Sequence, residues 1–137
     1  MAPTRDQEVR PARLEERPSG RERRSHARYA FPGAMLDFGF PGPLGEHHRQ
    51  PLKDLSLGGI AFYFPRGCCL EKIRVGGLIY SIILEIAGAR VQLDMLVMRV
   101  APAGDDRMVC GGLAYWKTLD DFERIRELAA RAEKSRS

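Results

Sequence analysis

The chain has 137 residues, of which 44% are hydrophobic and 29% are charged, a composition typical of one globular domain with a real core. Fourteen glycines and nine prolines argue against a helical bundle and favour a fold rich in strands and turns. The longest apolar run, at about residues 78–84, is too short for a spanning helix, and the Arg-rich start is not a secretory signal. We therefore expect a cytoplasmic protein without membrane insertion, whose three cysteines are free thiols.

Most of the basic charge lies at the start of the chain. Residues 1–28 hold eight arginines against five acidic residues, which is +3 of the total net charge of +4. Residues 1–20 lack apolar periodicity and are rich in proline and charge, which predicts a flexible N-terminal tail. Residues 21–28, the arginine arm, lead into the fold and are expected to meet an anionic partner. The alternative is a charged leader that only keeps the domain in solution.

Alternating apolar runs separated by turn residues predict six strands after the arm. Two consecutive glycines inside the last run indicate a bulge or a close contact there. The succession of strands as hairpins predicts a small antiparallel barrel, closed or half-closed, over residues 29–116. The strands are expected at residues 34–38, 47–55, 59–64, 78–86, 90–100 and 108–116.

The end of the chain predicts a helix of about four turns at residues 118–134. Thr118 caps its start and Asp121 follows three residues later, a variant of the capping box. Apolar residues then recur at helical spacing and mark one face. We expect this face to pack on the barrel rather than to bind a partner, because an isolated helix of this length is marginal in water. The face consists of Phe122, Ile125, Leu128, Ala129 and Ala132.

The segment Asp54–Gly59 is the first candidate site. On an extended segment Asp54 and Ser56 face the same way, and the alternate leucines face the other. Gly58 and Gly59 then allow a turn with positive φ, or the close approach of a ligand to the backbone. The same residues are also typical of an ordinary hairpin turn rich in Asp, Ser and Gly.

The arginine arm is the second candidate site. Arg24 and Arg28 are separated by three residues, so on a turn-like segment both side chains can converge on one ligand, with Arg23 as a third cation. A guanidinium binds phosphate oxygens as a fork and stacks flat on an aromatic ring. Asp54 supplies a complementary acceptor for the N–H groups of a guanine. Together these groups suit a small dianionic nucleotide held with micromolar affinity.

The two elements together resemble the motifs of the PilZ domain, the bacterial receptor module for cyclic di-GMP (c-di-GMP). The first is the R-x-x-x-R pattern that ends at Arg28, and the second is the D-x-S-x-x-G pattern that starts at Asp54. The resemblance covers about residues 21–134, including the last strand and the helix after it. It implies a six-stranded antiparallel β-barrel with a C-terminal α-helix, no catalytic residue, no metal and no cofactor.

The resemblance also implies a role for each motif residue. The arginines grip phosphates and stack on guanines, the carboxylate and hydroxyl hydrogen-bond a guanine, and the glycines present them. Tyr29 is a candidate stacking residue by proximity only. Ligand binding is expected to reorder the arm and change the surface that meets an unidentified downstream protein. The implied c-di-GMP-binding residues are Arg23, Arg24, Arg28, Asp54, Ser56, Gly58 and Gly59.

Two other functions remain open at this stage. A nucleic-acid-binding β-barrel would use the arm electrostatically, although the few aromatic residues and the modest net charge argue against this partner. A PilZ-like module without ligand would work through protein contacts alone. The histidines and cysteines lack the spacing of a zinc site, and no nucleophile–base pair indicates an enzyme.

Overall fold

The structure is a computed structural model that describes residues 27–39, 47–68, 70 and 73–136. The tail predicted at residues 1–20 and most of the arginine arm, with Arg23 and Arg24, lie outside the described residues. In the described ranges the chain forms six strands and one helix. These are β1 (Met35–Gly39), β2 (His47–Leu55), β3 (Gly59–Pro65), β4 (Leu78–Ile86), β5 (Ala89–Pro102), β6 (Arg107–Trp116) and α1 (Leu119–Arg136).

The strands form a closed barrel in the order β1-β2-β3-β6-β5-β4, and every pairing is antiparallel. The predicted six-stranded antiparallel barrel with a C-terminal helix is confirmed. The strands do not all follow one another as hairpins, however, because β3 pairs with β6 and β1 closes the barrel against β4. The connection from β3 to β4 places Leu70 and Ile73 in the core.

The core fills the barrel interior with side chains from alternate strand positions. On β1, Leu36 and Phe38 are buried while their neighbours are partly exposed, as expected for a strand with one inward face. The ring centroids of Phe38 and Phe62 lie 5.4 Å apart, and Phe64 continues the aromatic cluster at 6.1 Å from Phe62. This packed interior leaves ligand binding to the outside and the rims of the barrel.

The helix α1 follows β6 directly and lies against β5 and β6. Its start has the predicted capping box: Asp121 N donates to Thr118 Oγ1 at 3.1 Å, and Thr118 N donates to Asp121 Oδ2 at 3.1 Å. Ile125 and Leu128 are buried, which confirms the predicted apolar face. In the described part of the chain, no helix is long and apolar enough to span a membrane.

Candidate functional site

The last residue of the arginine arm meets the end of β2. Tyr29 forms a backbone bridge with Leu55, in which Tyr29 N donates to Leu55 O at 2.8 Å and Leu55 N donates to Tyr29 O at 3.0 Å. Arg28 precedes Tyr29 and Asp54 precedes Leu55, so this bridge holds the two side chains near each other. Arg28 Nε donates to Asp54 Oδ1 at 2.7 Å. The structure therefore brings together one residue from each of the two sequence motifs.

The second carboxylate oxygen of Asp54 is also occupied. Lys53 Nζ donates to Asp54 Oδ2 at 2.8 Å, and the Asp54 side chain is only 15% exposed. Burial alone raises the pKa of this carboxyl, but the hydrogen bonds and charges of Lys53 and Arg28 outweigh burial and hold its pKa below the usual value. Asp54 is therefore a carboxylate at neutral pH, with a cation on each oxygen.

Lys53 is a residue that the sequence analysis missed. Adjacent side chains on a regular strand point to opposite faces, so Lys53 was not expected beside Asp54. The pairing of β2 with β3 shifts register between Leu52 and Asp54, and such an irregularity re-aims side chains. This local break in alternation explains how consecutive residues of β2 form an ion pair.

The expected alternation of faces beyond Asp54 is wrong for Leu57. The strand ends at Leu55, so Leu57 no longer shares the buried face of that residue. Ser56 is 3% exposed, whereas Leu57 is 36% exposed. The carbonyl of Leu57 accepts a hydrogen bond from Trp116 Nε1 at 2.8 Å, which fixes the turn against β6.

Neither glycine of the motif has an unusual backbone angle, and Gly59 matters because its missing side chain lets other groups come close. Neither Gly58 nor Gly59 has positive φ, so the first of the two expected roles is wrong. A Cβ at Gly59 would lie 3.0 Å from Gly112 O and 3.4 Å from Arg28 Nη1, which is tighter than ordinary contact. The carbonyl of Gly58 accepts from Ala114 N at 3.0 Å. The close approach that glycine allows is thus the feature that shapes this corner.

An open groove of about 520 Å³ lies beside Asp54, a volume within the range of small-molecule sites. All the implied ligand-binding residues that the structure describes line this groove: Arg28, Asp54, Ser56, Gly58 and Gly59. Arg23 and Arg24 lie outside the described residues, so their placement stays a prediction. The remaining lining comes from Lys53, Ala61, Met98, Arg99, Val109, Gly111, Gly112 and Leu113.

The wall of the groove opposite Asp54 was not predicted from the two motifs. The sequence did indicate an irregularity at Gly111 and Gly112, and this irregularity shapes the wall. A Cβ at Gly112 would lie 2.0 Å from Leu96 O. The backbones of β5 and β6 therefore approach so closely there that only glycine fits at this position. This confirms the close contact that was one of the two predicted alternatives for the paired glycines. The pairing also shifts register between Val97 and Arg99, so the bulged residue, Met98, lies on β5 and not inside β6. As a result Met98 and Arg99 are consecutive residues that both face solvent.

The groove combines positive charge with apolar surface. Its described lining has three cationic side chains, Arg28, Lys53 and Arg99, against the single carboxylate of Asp54, which gives a net charge of +2. Met98 and Leu113 are 53% and 42% exposed and supply apolar surface. Such a lining suits an anion that also carries a flat, weakly polar ring.

Tyr29 does not line this groove. Its hydroxyl donates to Glu133 Oε1 at 2.5 Å, so the side chain is tied to α1. It lines a separate cavity between the end of the arm and the helix, together with Ala132 and Ser135. Tyr29 therefore lies outside the groove, and the side chain connects the arm to the helix.

Cys68 and Cys110 do not line the groove. Cys68 and Cys110 are free thiols, and Cys69 lies outside the described residues. Cys110 points into the core, and burial raises the pKa of its thiol to about 12. A thiol in that state is inert, so Cys110 is a packing residue.

The sequence was also compared with known proteins. No protein-family model matches the chain. No curated protein matches it either.

Solved structures do match. The c-di-GMP complex of K. pneumonia MrkH is 17% identical with a TM-score of 0.65, over 86% of this chain and 52% of that one. A second MrkH structure, described as a c-di-GMP-dependent transcription regulatory factor, has 19% identity and a TM-score of 0.63, over 76% and 48%. The PilZ domain of Escherichia coli YcgR with c-di-GMP is 14% identical with a TM-score of 0.59, over 82% and 93%. This chain spans about half the length of the MrkH structures.

Proposed function

We propose that this chain, whose fold is that of a PilZ domain, is a non-enzymatic receptor that binds c-di-GMP in the groove beside Asp54. The observation that carries the proposal is the contact of Arg28 with Asp54 at 2.7 Å, on the wall of a groove with net positive charge. Two residues that are 26 positions apart in the sequence meet where one ligand can touch both. The structural neighbours MrkH and YcgR, which were solved with c-di-GMP, support this ligand.

Each motif residue has a role that follows from its chemistry. Asp54 accepts hydrogen bonds from the Watson–Crick edge of a guanine, and the Ser56 hydroxyl adds a further polar contact. Arg28 binds phosphate or stacks on the base, and Arg23 and Arg24 complete the cationic arm. The two motif glycines leave the space in which these side chains and the ligand meet.

Ligand binding must compete with contacts that already exist. Each oxygen of Asp54 already accepts from a cation, so a guanine that binds both oxygens competes with Arg28 and Lys53 for them. A displaced Arg28 is then available to the phosphates of the same ligand. The ion pair therefore positions both side chains before binding, and its opening frees the Arg28 guanidinium to bind the ligand.

A route exists by which this exchange reaches the outer surface. Arg28 is followed by Tyr29, whose backbone pairs with Leu55 and whose hydroxyl bonds Glu133 on α1. Movement of Arg28 therefore acts on the end of the helix. We propose that this is how c-di-GMP changes the surface presented to a downstream protein in the cytoplasm.

Calorimetric titration of the full chain with c-di-GMP tests the receptor function. We expect micromolar affinity, a loss of at least about tenfold in Arg28→Ala, and a similar loss in Arg24→Ala, because each removes a charge-assisted contact. The thermal midpoint of the free protein should stay nearly unchanged in both variants. Arg49→Ala, which removes an exposed arginine elsewhere on β2, is the matched control and should bind as the wild type does.

Two results would overturn this function. One is the absence of heat from the wild-type chain at c-di-GMP concentrations of tens of micromolar. The other is equal binding of a single-stranded oligonucleotide with a steep salt dependence, which is the behaviour of a nucleic-acid-binding barrel.

A further inference from the structure

We propose that Arg99 is a further phosphate-binding residue of the groove and that Met98 beside it provides the apolar surface for a purine ring. This inference rests on the proposed function and adds a wall that neither sequence motif contains. Both residues lie on β5, across the groove from the end of β2.

The geometry of this wall comes from the contact between β5 and β6. On a regular strand only one of two neighbouring residues would face the groove. Because Gly112 lies against the carbonyl of Leu96, the register shifts and both side chains turn outward. The residue paired with Arg99 is Gly111, which has no side chain to cover the guanidinium. Bulges that re-aim side chains in this way are common next to binding sites.

The charges of the groove also single out Arg99. Arg28 and Lys53 are both engaged with Asp54. The guanidinium of Arg99 makes no ion pair or hydrogen bond with any residue that the structure describes. By contrast, Arg107 on the neighbouring strand lies over the ring of Tyr63 at 3.7 Å. Arg99 is thus ready to bind a phosphate with its whole guanidinium group, whereas Arg28 already donates its Nε–H to a carboxylate.

Met98 provides the complementary surface. Its side chain is 53% exposed although it lies in a strand whose inward residues are fully buried. Thioether side chains are flexible and polarizable and make favourable contacts with aromatic rings. Leu113 on β6 extends the same apolar surface. A base stacked on Met98 would place its attached phosphate within reach of the neighbouring Arg99.

Titration of full-length variants with c-di-GMP tests this wall. We expect Arg99→Ala to weaken binding about tenfold to a hundredfold, which is the range for loss of a charge-assisted contact. Arg99→Lys should lie between wild type and Arg99→Ala, because it keeps the charge and loses the planar fork. Met98→Ala should cause a smaller, several-fold loss. Arg90→Ala, an exposed arginine on the same strand, is the control and should leave the affinity unchanged.

The salt dependence separates a phosphate contact from a merely structural effect. The slope of log Kd against log salt should become shallower in Arg99→Ala and stay the same in Arg90→Ala. Wild-type binding with unchanged affinity and slope in Arg99→Ala overturns this inference and leaves the receptor function intact. A wild-type chain that does not bind c-di-GMP at all overturns the receptor function, and this inference with it.

Discussion

Two groups of arginine and carboxylate side chains lie on this barrel and differ in what they connect. In the first, Arg49 on β2 donates to Asp37 Oδ2 on β1 at 2.5 Å and to Glu85 Oε1 on β4 at 2.7 Å. In the second, Arg28 and Lys53 share Asp54. The chemistry is the same in both groups, but the first joins β1 to the two strands with which it is already paired, β2 and β4.

The difference shows which ion pair is available for exchange. Arg49 lies directly opposite Asp37 in the register, so backbone hydrogen bonds on both sides hold the pair in place. Arg28 lies before the first strand, and a single bridge at Tyr29 positions it. An ion pair inside a ladder of paired strands stabilises the seam of the barrel. An ion pair between a barrel edge and an arm can open for a ligand.

The largest effect is expected from closing the space on which the groove depends. Gly112→Ala would place a Cβ 2.0 Å from Leu96 O, and because the obstacle is backbone, we expect a loss of about 3 kcal/mol or more in the free energy of unfolding. Urea unfolding measures this loss. Gly111→Ala is the matched control, since its Cβ would meet Ala61 at an ordinary 3.7 Å. Equal stability of the two variants would contradict the close approach of β5 and β6.

The second largest effect is expected from neutralising Asp54, and it can be compared with neutralising Asp37 in the other group. We expect Asp54→Asn to weaken c-di-GMP binding about tenfold or more with little change in the thermal midpoint, because its partners lie on the arm and at the strand end. Asp37→Asn should lower the midpoint slightly and leave the affinity unchanged, because its partner Arg49 joins strands away from the groove. Calorimetry and thermal unfolding of both variants provide the measurement. Weakened binding in Asp37→Asn with unchanged binding in Asp54→Asn would mean that c-di-GMP binds outside this groove.

The strands could be predicted from the sequence because their signals are local. Alternation and turn residues placed β2 and β4 correctly at both ends. The fifth strand continues to Pro102, two residues past its expected end. Pro102, which pairs with Met108, is its last residue. The order of strands around the barrel depends on pairings between distant segments, and local patterns contain no information on it.

The candidate site could be predicted only in part, for a related reason. The motifs predicted that Arg28 and Asp54 hold one ligand together, but not that they form an ion pair with each other. Lys53, Met98 and Arg99 were missed because each reaches the groove through a shift in strand register, and period-two reasoning assigns such residues to the wrong face. The paired glycines of β6 were the available signal, since they indicated a bulge without showing which side chains it would expose.

A smaller effect is expected from pH. The folded-state pKa of Asp54 lies below its usual 3.8, so its ion pairs contribute stability above that value and lose it as pH falls through the folded pKa. Between pH 5 and 8 the carboxylate stays ionised, and Asp54 should add no pH dependence to ligand binding. Unfolding of wild type and Asp54→Asn from pH 7 to 3 should show a small difference in the free energy of unfolding, in line with the small change in thermal midpoint, and this difference should narrow only below about pH 4. A difference that stays constant to pH 3 would mean that the ion pairs contribute nothing.

The smallest effect is expected from removing the hydrogen bond that links the arm, through Tyr29, to the helix α1. Tyr29→Phe removes the hydroxyl that donates to Glu133, and we expect a loss of about 1 kcal/mol or less in unfolding free energy. Amide hydrogen exchange in the last two turns of α1 should become faster. Tyr115→Phe is the control, because Tyr115 is about half-exposed on β6 and its hydroxyl bonds no residue in the described ranges.

The informative comparison is the response to ligand. In wild type, c-di-GMP should change the exchange of α1, because displacement of Arg28 pulls on its neighbour Tyr29. In Tyr29→Phe the same ligand should bind with nearly the same affinity and change the helix less. If the helix responds equally in both proteins, the Tyr29–Glu133 contact does not carry the signal. The helix would then respond through its packing on β5 and β6, the strands that form the far wall of the groove.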